Sequence, residues 1–221
     1  MANHKVIYTT IIGNGYDLHE PIVENKDWDH ICFVSRNKSI LCKKKLKESK
    51  WKIIQVKDPS LTSEKLSRKV KIMQHEFLPE QYETSIFVDA RFTIKTDLNI
   101  FCEEYLKHYG IAVMLHNRRN CAYEEGDYVV NQGLVSPNKI QMQLSHYKAD
   151  GFPKRFGLFA PGIMIRKCGN IKVDKMMMDW WEEIKKYTYR DQVSLAYILW
   201  KNKVDFGIMP FHHTYERFMN R

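Results

Sequence analysis

The apolar positions of this chain fall into short β-branched runs separated by stretches of helical spacing. Val6-Ile7-Tyr8-Thr9-Thr10-Ile11-Ile12 predicts a buried first strand, followed by a turn at Gly13-Asn14-Gly15-Tyr16-Asp17. Residues 31–35 and 51–56 predict two further strands. Residues 66–77 have helical periodicity, and Pro79 stops it. Residues 85–94 read as a core strand that ends in polar residues. Asp97 then caps a helix running to about His108, ended by Gly110, and residues 111–115 form another short apolar strand. The segment 117–151 is polar and aromatic, with a helix at 140–149. A strand at 158–165, an amphipathic helix at 175–187 and a final core helix at 190–200 complete the pattern. Strands alternating with helices predict an α/β domain around a central mixed, mainly parallel sheet flanked by helices. No repeat or Pro/Gly/Ser-rich linker divides the chain, so residues 1–221 read as one domain.

Composition narrows the classes. The chain has 221 residues, 44% of them hydrophobic and 13% aromatic, which excludes a disordered protein. No run of about 18 apolar residues exists, so no membrane span is expected. The N-terminus lacks an apolar signal region, and five scattered cysteines make neither a disulfide framework nor a CxxC site. Reduced thiols and a cytoplasmic location are the expectation. A net charge of +9 leaves nucleic acid, a membrane surface or a small polyanion such as a nucleotide open as partners. Much of that excess sits in Lys43-Lys44-Lys45-Leu46-Lys47, read as solvated surface.

Ligands of such sheets bind at the carboxyl ends of strands, and two predicted strand ends carry unusual polar residues. One is Thr9-Thr10 with Ile12 and Gly13-Asn14-Gly15, whose glycines lack the third member of a dinucleotide fingerprint. The other is Asp89-Ala90-Arg91. Asp89 suits a divalent cation, a ribose or the cap of a turn, and Arg91 suits Asp89 itself or a diphosphate. Arg68 and Lys71 share a helical face, which fits either an anionic ligand or a wet surface. His116 and Arg118 follow a buried strand and offer donors to a phosphate or sugar, or simply form a turn. Asp191 serves as a helix cap or, facing a cleft, as an acid/base or sugar-orienting group beside Gln192. Trp180-Trp181 reads mainly as core, with one ring available to a sugar face. His212 or His213 offers nitrogen to a metal held by Asp89, or belongs to a polar tail.

Several blocks together resemble one family. Ser67-Arg68-Lys69-Val70-Lys71-Ile72 with His75 and Pro79, Ile86-Phe87-Val88-Asp89-Ala90-Arg91, residues 157–166, Trp180-Trp181-Glu182-Glu183 and Tyr189-Arg190-Asp191-Gln192-Val193-Ser194 occur in its order. It is the glycosyltransferase-like domain of plant mucilage-type hexosyltransferases and many bacterial and viral proteins, related to the retaining GT-A enzymes. The resemblance implies a GT-A-type nucleotide-sugar-binding fold and transfer of a hexose or deoxyhexose from a UDP-sugar to a glycan acceptor. It also implies Mn²⁺ or Mg²⁺. Where related GT-A enzymes carry Asp-x-Asp, this chain has Asp89-Ala90-Arg91, so the second carboxylate is absent; either Asp89 with His212 or His213 holds a weaker ion, or Arg91 partly replaces the cation's charge. The implied roles place Thr9, Thr10 and Ile12 at the nucleoside, and Arg68, Lys71 and Arg91 at the diphosphate. Asp191 and Gln192 fall at the anomeric centre, with His116, Arg118 and Trp180 at sugars. A nucleic-acid or polyanion-binding module and an inactive scaffold on the same fold are the competing classes, and the domain is of a kind that can stand within a larger chain.

Overall fold

The computed structural model describes residues 4–13, 17–35 and 49–218. Seven strands form one sheet: β1 (Lys5–Ile11), β2 (Trp28–Ser35), β3 (Lys52–Val56), β4 (Thr84–Val88), β5 (Ile111–Leu115), β6 (Phe159–Lys167) and β7 (Gly207–Met209). Among the described residues seven helices accompany them: α1 (Ser63–Ile72), α2 (Leu98–Leu106), α3 (Ala122–Asn131), α4 (Pro137–Ala149), α5 (Ile171–Lys186), α6 (Asp191–Asn202) and α7 (Phe211–Phe218). The strand order is β3-β2-β1-β4-β6-β5-β7. Only β6 runs antiparallel to its neighbours, so the sheet is mixed and mainly parallel.

Alternation along β1 sends Val6 and Tyr8 to one face of the sheet and Ile7 and Ile11 to the other. The first face is covered by α1 and the later helices, through Leu66, Val129, Trp180 and Leu195. The second is covered by α2 and α7, through Phe101 and Phe218. Burial on both faces is why these strands read as continuous apolar runs.

The predicted strand at 85–94 ends at Val88. The amide of Asp89 still bonds to Gly162 O at 2.8 Å, but Phe92 N turns back to Asp89 O at 2.9 Å, which folds residues 89–94 into a loop. The helix predicted at 66–77 begins instead at Ser63, capped by the Thr62 hydroxyl, and ends at Ile72 before a short 3₁₀ turn, Gln74–Glu76. A buried arginine sets that end: Arg166 donates to Lys71 O and Ile72 O at 2.8 and 2.9 Å. Its positive charge there complements the helix dipole. Tyr8 Oη donates to the same Lys71 carbonyl at 2.8 Å and also meets Arg166. The end of α1 is therefore fixed to the sheet. Asp97 caps α2 as expected, accepting from the amides of Asn99 and Ile100.

Three elements are absent from the pattern reading. Helix α3 contains Gly126, a residue that weakens a helix signal, yet a Cβ there would come within 2.6 Å of Leu144 on α4. The glycine permits that close approach. Strand β7 and helix α7 lie beyond the helix predicted to be final; Phe218 of α7 is fully buried against Phe101, at a ring-centroid distance of 5.0 Å. The lysine run 43–47 and Asn14, Gly15 and Tyr16 of the first turn lie outside the described residues. Among the described residues no helix is long and apolar enough to cross a membrane.

Candidate active site

The carboxyl ends of β1 and β4, the start of β6, one face of α1 and the beginning of α6 enclose a cleft of about 700 Å³. Its chemistry is polar and charged: Arg68, Lys71, Arg91 and Arg190 face Glu64, Asp89 and Asp191.

Asp191 organises the inner wall. Lys71 Nζ lies 2.7 Å from its Oδ2, and Arg68 Nε lies 3.0 Å from the same atom, close but not aligned as a hydrogen bond. The Lys71 side chain is only 3% exposed and passes over the Phe87 ring at 4.7 Å. Burial by itself pushes the Asp191 carboxyl up, but Arg68 and Lys71 outweigh it and hold the group down at about 2. Asp191 is therefore an ionised carboxylate in a desolvated position. The cap of α6 is Arg190, without a side-chain capping bond, while Asp191 accepts from the amide of Gln192 at 3.0 Å. The sequence alternatives for Asp191 resolve to the cleft.

Asp89 stands on the opposite wall, partly exposed, with Arg91 at 3.7 Å. Its position depends on Gly162. A Cβ on Gly162 would sit 2.9 Å from Asp89 Oδ2 and 3.0 Å from the Phe92 ring. Thr10 and Ile12 line the cleft, and Thr10 shares a 2.9 Å hydroxyl bond with Ser67 of α1.

The other expected site residues lie elsewhere. Thr9 is fully buried on the opposite side of the pleat from Thr10. Trp180 is also fully buried, its indole N–H donating to Ser194 at 2.8 Å, so the ring packs in the core and meets no sugar. His116 Nδ1 accepts from the amides of Arg118 and Arg119, at 3.2 and 2.9 Å, so it builds the turn after β5. Burial and the neighbouring arginines lower its pKa, keeping it neutral and able to accept. Arg118 is exposed on that turn and does not line the cleft. His212 and His213 are exposed on α7, whose Arg217 pairs with Glu104 at 2.6 Å and whose Phe218 packs under the sheet with α2. Neither histidine lines the cleft with Asp89. Among the described residues no group of three or more His, Cys, Asp or Glu side chains is arranged to hold a metal. Lys71, expected at a diphosphate, instead has its ammonium engaged by Asp191.

Glu64, Ser67, Gly162 and Arg190 are among the cleft residues that escape the sequence reading. Glu64 and Ser67 are spaced at i−4 and i−1 from Arg68 on the face of α1 already marked by Arg68 and Lys71, so helical spacing contains that signal. Arg190 adjoins Asp191, and its Nε is buried without a hydrogen-bond partner among the described residues. Gly162 has no sequence signal beyond being a glycine within a strand.

The fold and cleft define a mixed-sheet α/β domain with a charged cleft at the strand ends. Residues 1–220 match the family described as TOD1/MUCI70, glycosyltransferase-like domain, and the chain belongs to that family. A search of curated proteins returned no match. Among solved structures, the chain is similar to the 4-diphosphocytidyl-2C-methyl-D-erythritol synthase of Anaerococcus prevotii, with a TM-score of 0.53 and 10% identity over 95% of this chain and 90% of that one. It also matches mouse xyloside xylosyltransferase 1 (TM-score 0.48, 13% identity, 93% and 84% covered). The bifunctional glycosyltransferase WbbM matches at TM-score 0.48 and 12% identity, with 89% of this chain and 37% of that one covered. The first of these likenesses speaks to the fold alone.

Proposed function

We propose that this domain transfers a hexose or deoxyhexose from a UDP-sugar to a hydroxyl of a glycan acceptor, with retention and with a divalent cation assisting. The observation that carries this reading is the ionised Asp191, held by Lys71 and Arg68 at the floor of a cleft rimmed by two further arginines. A leaving diphosphate needs preorganised positive charge. Arg91 and Arg190 supply it, with Arg68 shared between the diphosphate and Asp191, while Arg68 and Lys71 together keep Asp191 ionised. Thr10 and Ile12 border the place for the nucleoside.

Two cations on one carboxylate oxygen quench its nucleophilicity, so Asp191 is assigned to orient the sugar and to stabilise oxocarbenium charge. The acceptor oxygen then attacks C1 on the face the diphosphate leaves. The C1–O bond to phosphate breaks, the C1–O bond to the acceptor forms, and the acceptor proton passes to the departing phosphate oxygen.

Asp89 would hold the cation. Magnesium is commonly held by one or two carboxylates together with substrate phosphates and waters. A single partly exposed Asp fits an ion that arrives with the diphosphate, and that ion would neutralise phosphate charge. A thermal-shift series over UDP, UDP-sugars and adenine nucleotides, with and without Mn²⁺, tests the reading. Ligand at about 100 times Kd adds about 2.7 kcal/mol, or about 5–10 °C for a domain of this size. UDP with Mn²⁺ is expected to give such a shift; no shift with any uridine nucleotide would overturn the assignment.

Gly162→Ala supplies a further check. The added methyl must displace the Asp89 carboxylate, so calorimetric titration should show Mn²⁺-dependent UDP binding weakened by about 10-fold. Binding measured in EDTA should be unchanged.

A further inference from the structure

A buried carboxylate outside the cleft lining reaches Gln192 from behind. Glu125 on α3 is 2% exposed, and both of its oxygens are engaged. Arg119 Nε lies 2.6 Å from Oε2, and the Arg119 guanidinium stacks 3.9 Å above the Tyr128 ring one turn along the helix. Oε1 accepts from Gln192 Nε2 at 3.1 Å. Gln192 itself lines the cleft beside Asp191. An ionised carboxylate only accepts hydrogen bonds. The Gln192 amide must therefore turn its NH₂ toward Glu125, which leaves its carbonyl oxygen as the prong available to a ligand.

We infer that Glu125, clamped by Arg119, is a positioning residue that fixes the orientation of the Gln192 amide and presents its carbonyl oxygen to the donor sugar. The inference rests on the sugar-transfer reading above. A carbonyl dipole directed at C1 stabilises positive charge as the leaving group departs, whereas an NH₂ in the same place opposes it. Arg119 follows directly on the turn built by His116, so the relay also ties that turn to the cleft.

Glu125→Gln separates positioning from packing. Its amide oxygen faces Arg119, so its NH₂ faces Gln192 and forces the Gln192 amide to flip. With the UDP-sugar that the wild-type protein hydrolyses fastest as probe, kcat should fall on the order of 10- to 100-fold. KM for that sugar and the Kd for UDP should stay within about twofold, because the diphosphate contacts are untouched. In a Gln192→Ala background the same substitution should change kcat by a factor of about one, since the residue it acts through is gone. Arg119→Gln, at a partly exposed site, should show the same dependence on Gln192 with a smaller loss. Side-chain amide signals in a ¹H–¹⁵N spectrum, assigned by their absence in Gln192→Ala, give a readout independent of turnover. They should move in Glu125→Gln. Equal losses of kcat in both backgrounds, or unmoved amide signals, would overturn the inference. Absence of UDP binding and turnover in the wild-type protein would instead overturn the reading on which it rests.

Discussion

Asp191→Ala is expected to destabilise the domain by about 3–5 kcal/mol and to remove turnover. The stability loss comes from Lys71: its ammonium is almost wholly buried, and Asp191 Oδ2 at 2.7 Å is the carboxylate that pairs with it. Removing one partner of a buried pair leaves the other charge desolvated and uncompensated, which is the source of that magnitude. Adding Lys71→Met to Asp191→Ala should recover much of the loss without restoring turnover. Urea unfolding with an unchanged m-value reads both effects. The same pair sets an acid limb. The Asp191 carboxyl sits at about 2 in the folded chain against 3.8 in its reference state, so the unfolded chain binds more protons between these values. Its contribution, about 2 kcal/mol, is complete above pH 4 and disappears as pH falls toward 2. The difference in stability between wild-type protein and Asp191→Ala should shrink across that window.

Asp89→Ala should behave in the opposite way. Asp89 is partly exposed and its pairing with Arg91 is loose, at 3.7 Å, so the expected stability change is within about 0.5 kcal/mol. Its effect falls on ligand binding. On the proposed reading a cation would then be left with phosphates and water, and UDP affinity in Mn²⁺ should drop about 10- to 100-fold. Titration in EDTA should find mutant and wild type alike. A stable variant without metal-dependent binding, beside an unstable Asp191 variant, separates the two acids by role.

The sheet was largely legible because its strands are buried on both faces, and β-branched runs such as 6–12 and 111–115 announce that directly. Asp89 and Asp191 stood out because an acid next to an apolar run must have a local reason. What pattern could not supply was company. The spacing of Arg68 and Lys71 marks a shared face, but their convergence on Asp191, about 120 residues away, is a tertiary fact. Trp180 was ambiguous because an aromatic at helical spacing suits a core and a sugar platform equally; only its complete burial decides. His212 and His213 read as either metal ligands beside Asp89 or a polar tail, and the helix that carries them is held by Phe218 on the side of the sheet shared with α2, away from the cleft. Glu125 was hidden because α3 contains a glycine that breaks the helical signal while serving its packing. Part of the +9 charge meets its counter-charges at the cleft, where four cations face three carboxylates.

The proposed cleavage of a nucleotide-sugar bond in the Asp191 cleft is tested most directly by measuring UDP release from a panel of UDP-sugars with Mn²⁺, for wild-type protein and Asp191→Ala/Lys71→Met side by side. The expected result is release by the wild type from at least one donor, with none from the stabilised variant. No release from any donor by the wild type, or equal release by both proteins, would contradict it.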